Sequence, residues 1–432
     1  MKYQEIESSF FVHNRTKLVN CVEPNSLVLL TSNDEMPETG DQYFPFRQNA
    51  DFFYLTGIDQ EKSILALCPH HPNPQYREVL FLLQTNETIA VWNGYKYTVE
   101  HAQRVSGIQN VQWLSSFDSI LKEMAYASEK IYLNLQENYR FDTEVERQEL
   151  RFCRKIQQLF PLHSYGRLAP IFTSLRLRKE SVEIDLIKKA CDITASAFIR
   201  LLKFVKPGVM EYEVEAEMIH EFIRSAATGH AFAPIIASGK DTCVLHYIKN
   251  NKICQDGDLL LLDFGASYAN YAGDLSRTIP VNGTYTPRQK QVYDACWRVY
   301  EYAKTLYVPG TTINKINKKV FGMMEEEFVK LGLFTQAEAD QQDKNTYPLV
   351  RKYFMHNIGH FMGIDTHDVG DRDVVFEEGM VASCEPGIYI PEEGIGVRIE
   401  TDMLIAAPPI DLMAQLPSAS KDIEKMMKEY IE

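Results

Sequence analysis

Apolar side chains in the middle of the chain follow a helical period. From Leu186 to Val205 they recur at steps of three and four residues, which is typical of a helix with one buried face. Pro207 and Gly208 end that helix, and a second helix is predicted over residues 212–227.

The same succession returns about a hundred residues later. Thr286 and Pro287 supply an N-cap and a first-turn proline for a helix that ends at Pro309, and another helix is predicted over residues 312–331. Each pair of helices precedes a hairpin-like stretch that carries two acidic residues. We therefore predict a pseudo-repeat that places two β-hairpins opposite each other, with helices covering one side of a curved sheet.

The first part of the chain has the pattern of a mixed α/β domain. Short β-rich runs at residues 26–31, 63–68 and 78–83 are separated by Pro, Asn and Asp clusters that mark turns. The aromatic-rich segment 50–57 is predicted to be a packed strand and turn. A charged break at residues 175–181 precedes the first long helix, so we predict two domains, residues 1–175 and 176–432.

Length and composition agree with this division. A chain of 432 residues is too long for one typical compact core, and 45% hydrophobic with 24% charged residues is an ordinary globular composition. The net charge of −14 argues against a nucleic-acid partner, which would require a clustered basic face.

The eight cysteines are widely scattered and form no Cys-x-x-Cys pair, which favours a reducing compartment. The N-terminal residues lack an apolar segment of signal-peptide length, and no apolar run reaches the length of a membrane span. We therefore expect a cytoplasmic protein without a membrane partner.

Two acidic residues flank the first hairpin-like stretch. Asp263 follows the apolar run Leu259-Leu-Leu-Leu262, and Asp274 begins the return strand after a turn that contains Gly265 and Gly273. Hairpin geometry can bring the two carboxylates together. Adjacent buried carboxylates repel each other and lose hydration, so a divalent metal is the natural partner to neutralise them.

The second stretch repeats this arrangement. Glu385 precedes the turn-prone Pro386-Gly387, and strand alternation places Arg398 and Glu400 on the same face. Four histidines, His246, His356, His360 and His367, lie near these acids in the sequence. Four carboxylates and one histidine form a hard, oxygen-rich ligand set, which suits Mn(II), or Co(II), Fe(II) and Zn(II) when supplied. Two such ions would activate a shared water, so the predicted reaction is metal-assisted hydrolysis.

With their neighbours, these residues resemble the creatinase/aminopeptidase family of pita-bread metallopeptidases and, within it, the Xaa-Pro aminopeptidases. The similarity rests on Asp-x-Gly-x-x-Tyr-x-x-Tyr-x-x-Asp from Asp263, Gly-His at His360, Glu-Pro-Gly at Glu385 and Arg-Ile-Glu at Arg398. The segment 46–57 is similar to the N-terminal domain of the same branch. The resemblance implies an α/β (α+β) chain, with a creatinase-like N-terminal domain followed by a catalytic pita-bread domain.

The resemblance also implies roles for individual residues. Asp274 and Glu400 would bridge two divalent ions, Asp263 would bind one, and His360 and Glu385 the other. A bridging hydroxide would attack the peptide carbonyl, with Glu385 as proton shuttle. The remaining residues would line the substrate site or order Glu400: His246, His356, His367 and Arg398. The expected ions are Mn(II), the expected substrates are short peptides with proline in second position, and the expected assembly is a homodimer or homotetramer.

Two alternatives share much of this pattern. A prolidase, which cleaves only Xaa-Pro dipeptides, would have the same ligands, although segment 47–57 and the residues around His367 favour the aminopeptidase. Family members that have lost their metals, acting as binding modules or as creatine hydrolases, form the second alternative. The five intact ligands argue against it.

Overall fold

The computed structural model describes residues 2–138 and 143–429. The chain forms two compact units, the first comprising Tyr3–Arg176 and the second beginning at Leu177.

The first unit is built on a mixed sheet. Its strands are β1 (Ser26–Thr31), β2 (Pro37–Thr39), β3 (Gln42–Tyr43), β4 (Ile64–Leu67), β5 (Glu78–Leu82), β6 (Val111–Trp113), β7 (Lys130–Leu133) and β8 (Ser164–Arg167). The sheet has the order β6-β5-β4-β1-β7-β8, and β2 pairs separately with β3. The strands β1, β4 and β5 pair antiparallel, whereas β6, β7 and β8 join in parallel. The three predicted β-rich runs are therefore confirmed as β1, β4 and β5.

Helices accompany this sheet along the chain. They are α1 (Ser8–Val19), α2 (Ala50–Thr56), α3 (Glu87–Asn93), α4 (Val99–Ser106), α5 (Phe117–Tyr126), α6 (Gln148–Leu159) and α7 (Ala169–Leu177). A hydrophobic core joins the sheet to α5 and α6, with Leu27 and Ile131 from the strands packed among Leu121 and Ile156 from the helices.

The prediction of a strand over residues 50–57 was wrong, because this segment is the helix α2. The Asn49 side chain caps it by accepting a hydrogen bond from the Phe52 amide, and Gly57 ends it in the left-handed conformation, with a φ of 66°. All seven helical residues are buried, so the apolar run carries no periodic signal that separates helix from strand.

The second unit contains the predicted helix pairs. Its helices are α8 (Ser181–Phe204), α9 (Glu211–Arg224), α10 (Pro287–Lys304), α11 (Ile313–Lys330), α12 (Gln336–Gln341), α13 (Pro348–Tyr353) and α14 (Ser420–Glu429). The first four confirm the helices expected from periodicity, and Thr286 caps α10 as predicted. Among residues 2–138 and 143–429, no helix has both the length and the apolar character needed to cross a bilayer.

Strands follow each helix pair. They are β9 (Gly229–His230), β10 (Ile235–Ser238), β11 (Leu259–Phe264), β12 (Ala266–Tyr268), β13 (Tyr271–Ala272), β14 (Leu275–Pro280), β15 (Val381–Cys384), β16 (Gly387–Ile390), β17 (Ile395–Arg398), β18 (Thr401–Leu404) and β19 (Ile410–Asp411). The strand pairs are antiparallel, in the orders β10-β11-β14, β13-β12-β9, β15-β18-β19 and β16-β17. Asp263 lies near the end of β11, and Asp274 immediately precedes β14. Glu385 follows β15, and Glu400 lies between β17 and β18.

Candidate active site

The two aspartates are brought together by the pairing of β11 with β14. Asp263 lies opposite Ser276 in this pairing, and Asp274 immediately precedes β14. Gly265 and Gly273 make the turn possible, because a Cβ on Gly265 would lie 1.7 Å from the Gly273 carbonyl oxygen. Only glycine permits this backbone approach. Both carboxylates therefore reach the same cavity.

The two glutamates come from a second antiparallel pair. Cys384 of β15 lies opposite Thr401 of β18, so Glu385 and Glu400 are the next residues on facing chains. The Glu400 amide donates a 3.0 Å hydrogen bond to the Ser276 carbonyl oxygen. This bond ties the second pair of strands to β14 and hence to the aspartates.

His360 faces these carboxylates. Its Nε2 lies 3.6 Å from Asp274 Oδ2 and 3.6 Å from Glu385 Oε1. Its Nδ1 lies 3.1 Å from the Phe361 carbonyl oxygen, which can only accept a hydrogen bond, so Nδ1 carries the proton and Nε2 presents a lone pair. The backbone is fixed by Ser383, whose amide donates to the His360 carbonyl oxygen at 2.8 Å.

The negative charges in this cluster would be stabilised by a bound cation. One ligand atom each from Asp274, His360 and Glu400 lie within 4.8 Å of one another. Asp274 Oδ1 is buried and has no hydrogen-bond partner among the described residues. Burial and the neighbouring carboxylates, Glu400 first, raise the pKa of Asp274, and burial together with Glu385 raises the pKa of Glu400. An orphaned carboxylate oxygen among like charges fits a divalent metal ion.

All nine residues that the sequence singled out line one cavity of about 360 Å³. These are His246, Asp263, Asp274, His356, His360, His367, Glu385, Arg398 and Glu400. Apolar side chains complete the wall, among them Phe232, Ile235 and Leu245. A polar cluster beside an apolar wall is the usual form of a small-ligand site.

Arg398 is the buried cation of the site. Its Nη2 donates to Asp263 Oδ2 at 2.6 Å and its Nε donates to Ser276 Oγ at 2.8 Å. Ser276 in turn donates from Oγ to Glu400 Oε2 at 2.6 Å. Arg398 therefore orders Asp263 directly and Glu400 through one hydroxyl.

Sequence reasoning assigned no role to Tyr389, which joins two site residues. Its Oη lies 2.9 Å from His356 Nε2 and 2.9 Å from Arg398 Nη1. His356 Nδ1 lies 2.8 Å from the Asn357 carbonyl oxygen and must donate to it, so Nε2 accepts the Tyr389 proton. Burial, followed by the charge of Arg398, lowers the pKa of His356 to about 3. His356 is thus a neutral imidazole with both nitrogens bonded inside the protein.

His246 is positioned by a buried carboxylate that the sequence did not reveal. Glu211, at the start of α9, accepts hydrogen bonds from Tyr247 Oη at 2.8 Å and from the Lys252 amide at 2.9 Å. It also accepts from the Ser238 amide and hydroxyl at 2.9 and 2.7 Å. The loop that carries His246 is therefore anchored on both sides, and no local sequence pattern signals a contact made over such separations.

His367 lies against the candidate ligand His360, with ring centroids 4.2 Å apart and planes at 88°. The next residue, Asp368, forms a buried ion pair with Lys179 at 3.1 Å. Each of these two side chains is only 1% exposed. The loop that carries His367 is thereby fixed to the segment just before α8.

Comparisons with known proteins cover both units. Residues 185–407 match the model of metallopeptidase family M24, and residues 11–132 match that of the aminopeptidase P N-terminal domain. The chain is 33% identical to an Xaa-Pro aminopeptidase from Escherichia coli, with 98% of each chain covered, and 32% identical to one from Haemophilus influenzae, with 96% of each covered.

Solved structures agree with these matches. The aminopeptidase PepP from Pseudomonas aeruginosa superposes with a TM-score of 0.90 at 28% identity, covering 99% of both chains. Proline aminopeptidase P II from Yersinia pestis superposes with a TM-score of 0.86 at 31% identity, covering 98% of this chain and all of the other. The expected fold, a creatinase-like N-terminal domain followed by a pita-bread domain, is confirmed.

Proposed function

The chain belongs to metallopeptidase family M24, and from this we propose that it is a metal-dependent Xaa-Pro aminopeptidase, which removes the first residue of peptides with proline in second position. The observation that carries the proposal is the convergence of four carboxylates and His360 on one cavity of a chain similar over its whole length to Xaa-Pro aminopeptidases. An Xaa-Pro amide nitrogen carries no hydrogen and the proline ring fixes φ, so such a bond requires a dedicated site.

Five residues would hold two divalent ions: Asp263, Asp274, His360, Glu385 and Glu400. Their oxygen-rich donor set suits Mn(II) better than thiolate-preferring ions. When bound, such ions supply Lewis acidity towards the scissile carbonyl and lower the pKa of the attacking water. Asp274 and Glu400, whose ligand atoms converge with that of His360, would serve both ions.

Glu385 is the proposed proton carrier. Its carboxylate lies 3.6 Å from His360 Nε2 and 3.8 Å from His356 Nδ1, at the centre of the polar cluster. It would accept a proton from the attacking water and deliver it to the proline nitrogen as the peptide bond breaks. His246 and His367 line the cavity and would contact the substrate, while neutral His356 and Tyr389 would hold Arg398 in place.

Three further properties are proposed. Around α3 the side chains of Val91, Trp92 and Tyr95 are 80%, 85% and 99% exposed, and burying such large apolar groups would favour a homodimer or homotetramer. All eight cysteines are free, which fits the reducing cytoplasm. Residues 1–175 would form the accessory N-terminal domain and residues 176–432 the catalytic domain.

A product assay tests the proposal. The protein, stripped of metal, is given an Xaa-Pro-Xaa tripeptide and an Xaa-Pro dipeptide, each with and without Mn(II). Metal-dependent release of the first residue from the tripeptide is expected. Cleavage of the dipeptide alone would indicate a prolidase instead, and no cleavage with any of several divalent metals would refute the hydrolase assignment. The Glu385→Gln variant, purified in parallel, controls for contaminating peptidases.

A further inference from the structure

The carboxylate of Asp402, in β18, is buried next to the proposed metal ligands without lining the cavity. Its Oδ2 accepts a 2.9 Å hydrogen bond from the Asp274 amide and a 3.2 Å hydrogen bond from the Cys191 thiol. Its Oδ1 is buried and has no hydrogen-bond partner among the residues that the structure describes. A buried carboxylate with an unpaired oxygen costs stability, so stability alone does not account for Asp402.

Two hydrogen bonds cross between the segments that carry Asp274 and Glu400. The Glu400 amide donates to the carbonyl oxygen of Ser276, which lies just beyond Asp274 in the chain. The Asp274 amide donates to Asp402, which lies just beyond Glu400. Each of the two proposed ligands is therefore held by a residue that follows the other. The first bond joins main-chain atoms only, whereas the second depends on a side chain and can be removed by substitution.

The Asp274 amide bonds to the Asp402 side chain, while its neighbours bond within the hairpin. The Gly273 amide donates to the Ala266 carbonyl oxygen at 3.0 Å, and the pairing of β14 with β11 extends to Leu275. The peptide unit between Gly273 and Asp274 is thus oriented by a carboxylate from another strand. Hydrogen bonds to a charged acceptor are stronger than neutral ones, so this contact fixes the direction in which the Asp274 side chain leaves the backbone.

The helix α8 supports this arrangement from behind. Cys191 donates to Asp402 from α8, and the hydroxyl of Thr194, one turn later, accepts a main-chain amide of the hairpin at 2.9 Å. A Cβ added to Gly273 would lie 3.1 Å from the Cys191 nitrogen, so the helix packs directly on the hairpin. Asp402 is therefore held by a rigid element, and a ligand oriented in this way loses little freedom when a metal ion binds.

We propose that Asp402 is a positioning residue that holds Asp274, the proposed ligand of both metal ions, in place through the Asp274 amide. This inference rests on the proposed function, because it concerns the metal site of that function. Asp402 lines no part of the cavity, so it acts through Asp274 and not on the substrate. Loss of a group that orients a metal ligand lowers metal affinity about 10- to 100-fold.

The test measures Mn(II) affinity by calorimetry on chelator-treated proteins, without substrate. Asp402→Leu keeps the branched shape but offers no acceptor, and its affinity should fall about 10- to 100-fold. Asp402→Asn keeps an acceptor oxygen that is about half as strong, so its affinity should fall only about three- to tenfold. Thr286→Ala, which removes the N-cap of α10, is the control: it lowers the melting temperature and should leave the affinity unchanged.

At saturating Mn(II), Asp402→Leu should lower kcat for Ala-Pro-Ala and leave KM nearly unchanged, because the substrate does not contact Asp402. Wild-type affinity in Asp402→Leu would overturn the proposal. So would equal losses in the leucine and asparagine variants, since charge and not the hydrogen bond would then matter. If Asp402→Leu does not fold, Asp402→Val, which is smaller and suits a strand, replaces it with the same expectation.

The proposed function can fail independently of this inference. Failure of the wild-type protein to release alanine from Ala-Pro-Ala with Mn(II) would refute the proposed function, whereas the affinities of the variants are compared without any turnover. A wild-type protein that binds Mn(II) but has no peptidase activity would therefore still allow the role of Asp402 to be tested.

Discussion

Arg398 forms a largely buried ion pair with Asp263, with 2.6 Å between Nη2 and Oδ2. One of the four carboxylates of the cluster thus has a protein cation of its own, whereas Asp274 retains an oxygen without a partner. Arg398 therefore offsets part of the negative charge of the cluster, and the remaining charge is left for metal ions.

Replacing Arg398 should damage both stability and activity. Arg398→Met leaves Asp263 and Ser276 without their donors, and removing one partner of a buried ion pair costs about 3–5 kcal/mol. We expect a lower melting temperature and at least about a hundredfold loss in kcat/KM, since misplaced catalytic groups have effects of this size. Arg288→Met, which breaks a half-exposed pair with Glu393, is the control and should change neither quantity appreciably. Wild-type activity in Arg398→Met would contradict this role.

Metal should stabilise the protein through Asp274. Adding Mn(II) to the chelator-treated wild type should raise the melting temperature, because a ligand that binds only the folded state stabilises it. Asp274→Asn removes a buried carboxylate surrounded by like charges, so the metal-free variant should melt at or above the metal-free wild type. Mn(II) should no longer raise its melting temperature. Calorimetry and metal analysis check both statements, and an unchanged response to Mn(II) in the variant would exclude Asp274 as a ligand.

Substitution of Glu211 should reveal how much its hydrogen bonds stabilise the loop that carries His246. Glu211→Gln replaces one acceptor oxygen by an NH₂ group that faces donors, and hydrogen bonds to a charged acceptor contribute about 1.5–3 kcal/mol each. We expect a lower melting temperature, faster amide exchange in residues 244–252 and a raised KM. The matched control is Glu213→Gln on the same helix, because glutamine can also accept the Met210 amide hydrogen bond that Glu213 makes. Exchange that stays slow in Glu211→Gln would show that the loop does not depend on this carboxylate.

Stability should depend on pH through His230. Burial lowers the pKa of His230, whose ring nitrogens have no hydrogen-bond partner among the described residues. The unfolded chain therefore binds a proton that the folded protein does not, so His230 favours unfolding as the pH falls below about 6.5, the ordinary value for histidine.

His230→Phe should consequently lose less melting temperature between pH 7 and pH 5 than the wild type does. The His230 ring already packs against Phe222, with the ring centroids 5.1 Å apart, so phenylalanine is compatible with the site. His220→Gln, at an exposed position of α9, should follow the wild-type curve. Parallel curves for all three proteins would show that His230 does not contribute.

Periodicity and end signals predicted some elements well. The helices α8 to α11 were predicted because apolar residues recur along one face and because Thr286, Pro287 and the Pro-Gly pairs mark their ends. The helix α2 was mistaken for a strand, since a short run that is buried on all sides has no period to read.

The site shows a similar division. Its acids and histidines were recognisable because each follows an apolar run or a turn and because their order resembles a known family. Tyr389, Ser276 and Glu211 were not, because their roles depend on hydrogen bonds to residues distant in the chain.

The bond from the Glu400 amide to the Ser276 carbonyl oxygen also bears on how the protein folds. It joins strands more than a hundred residues apart, so the ligands meet only after a long loop has closed. Contacts of this kind slow folding, and a complete ligand set rarely exists before the chain is folded. Mn(II) should therefore slow unfolding while leaving the refolding rate unchanged, so that metal is acquired by a finished site and does not act as a nucleus for it.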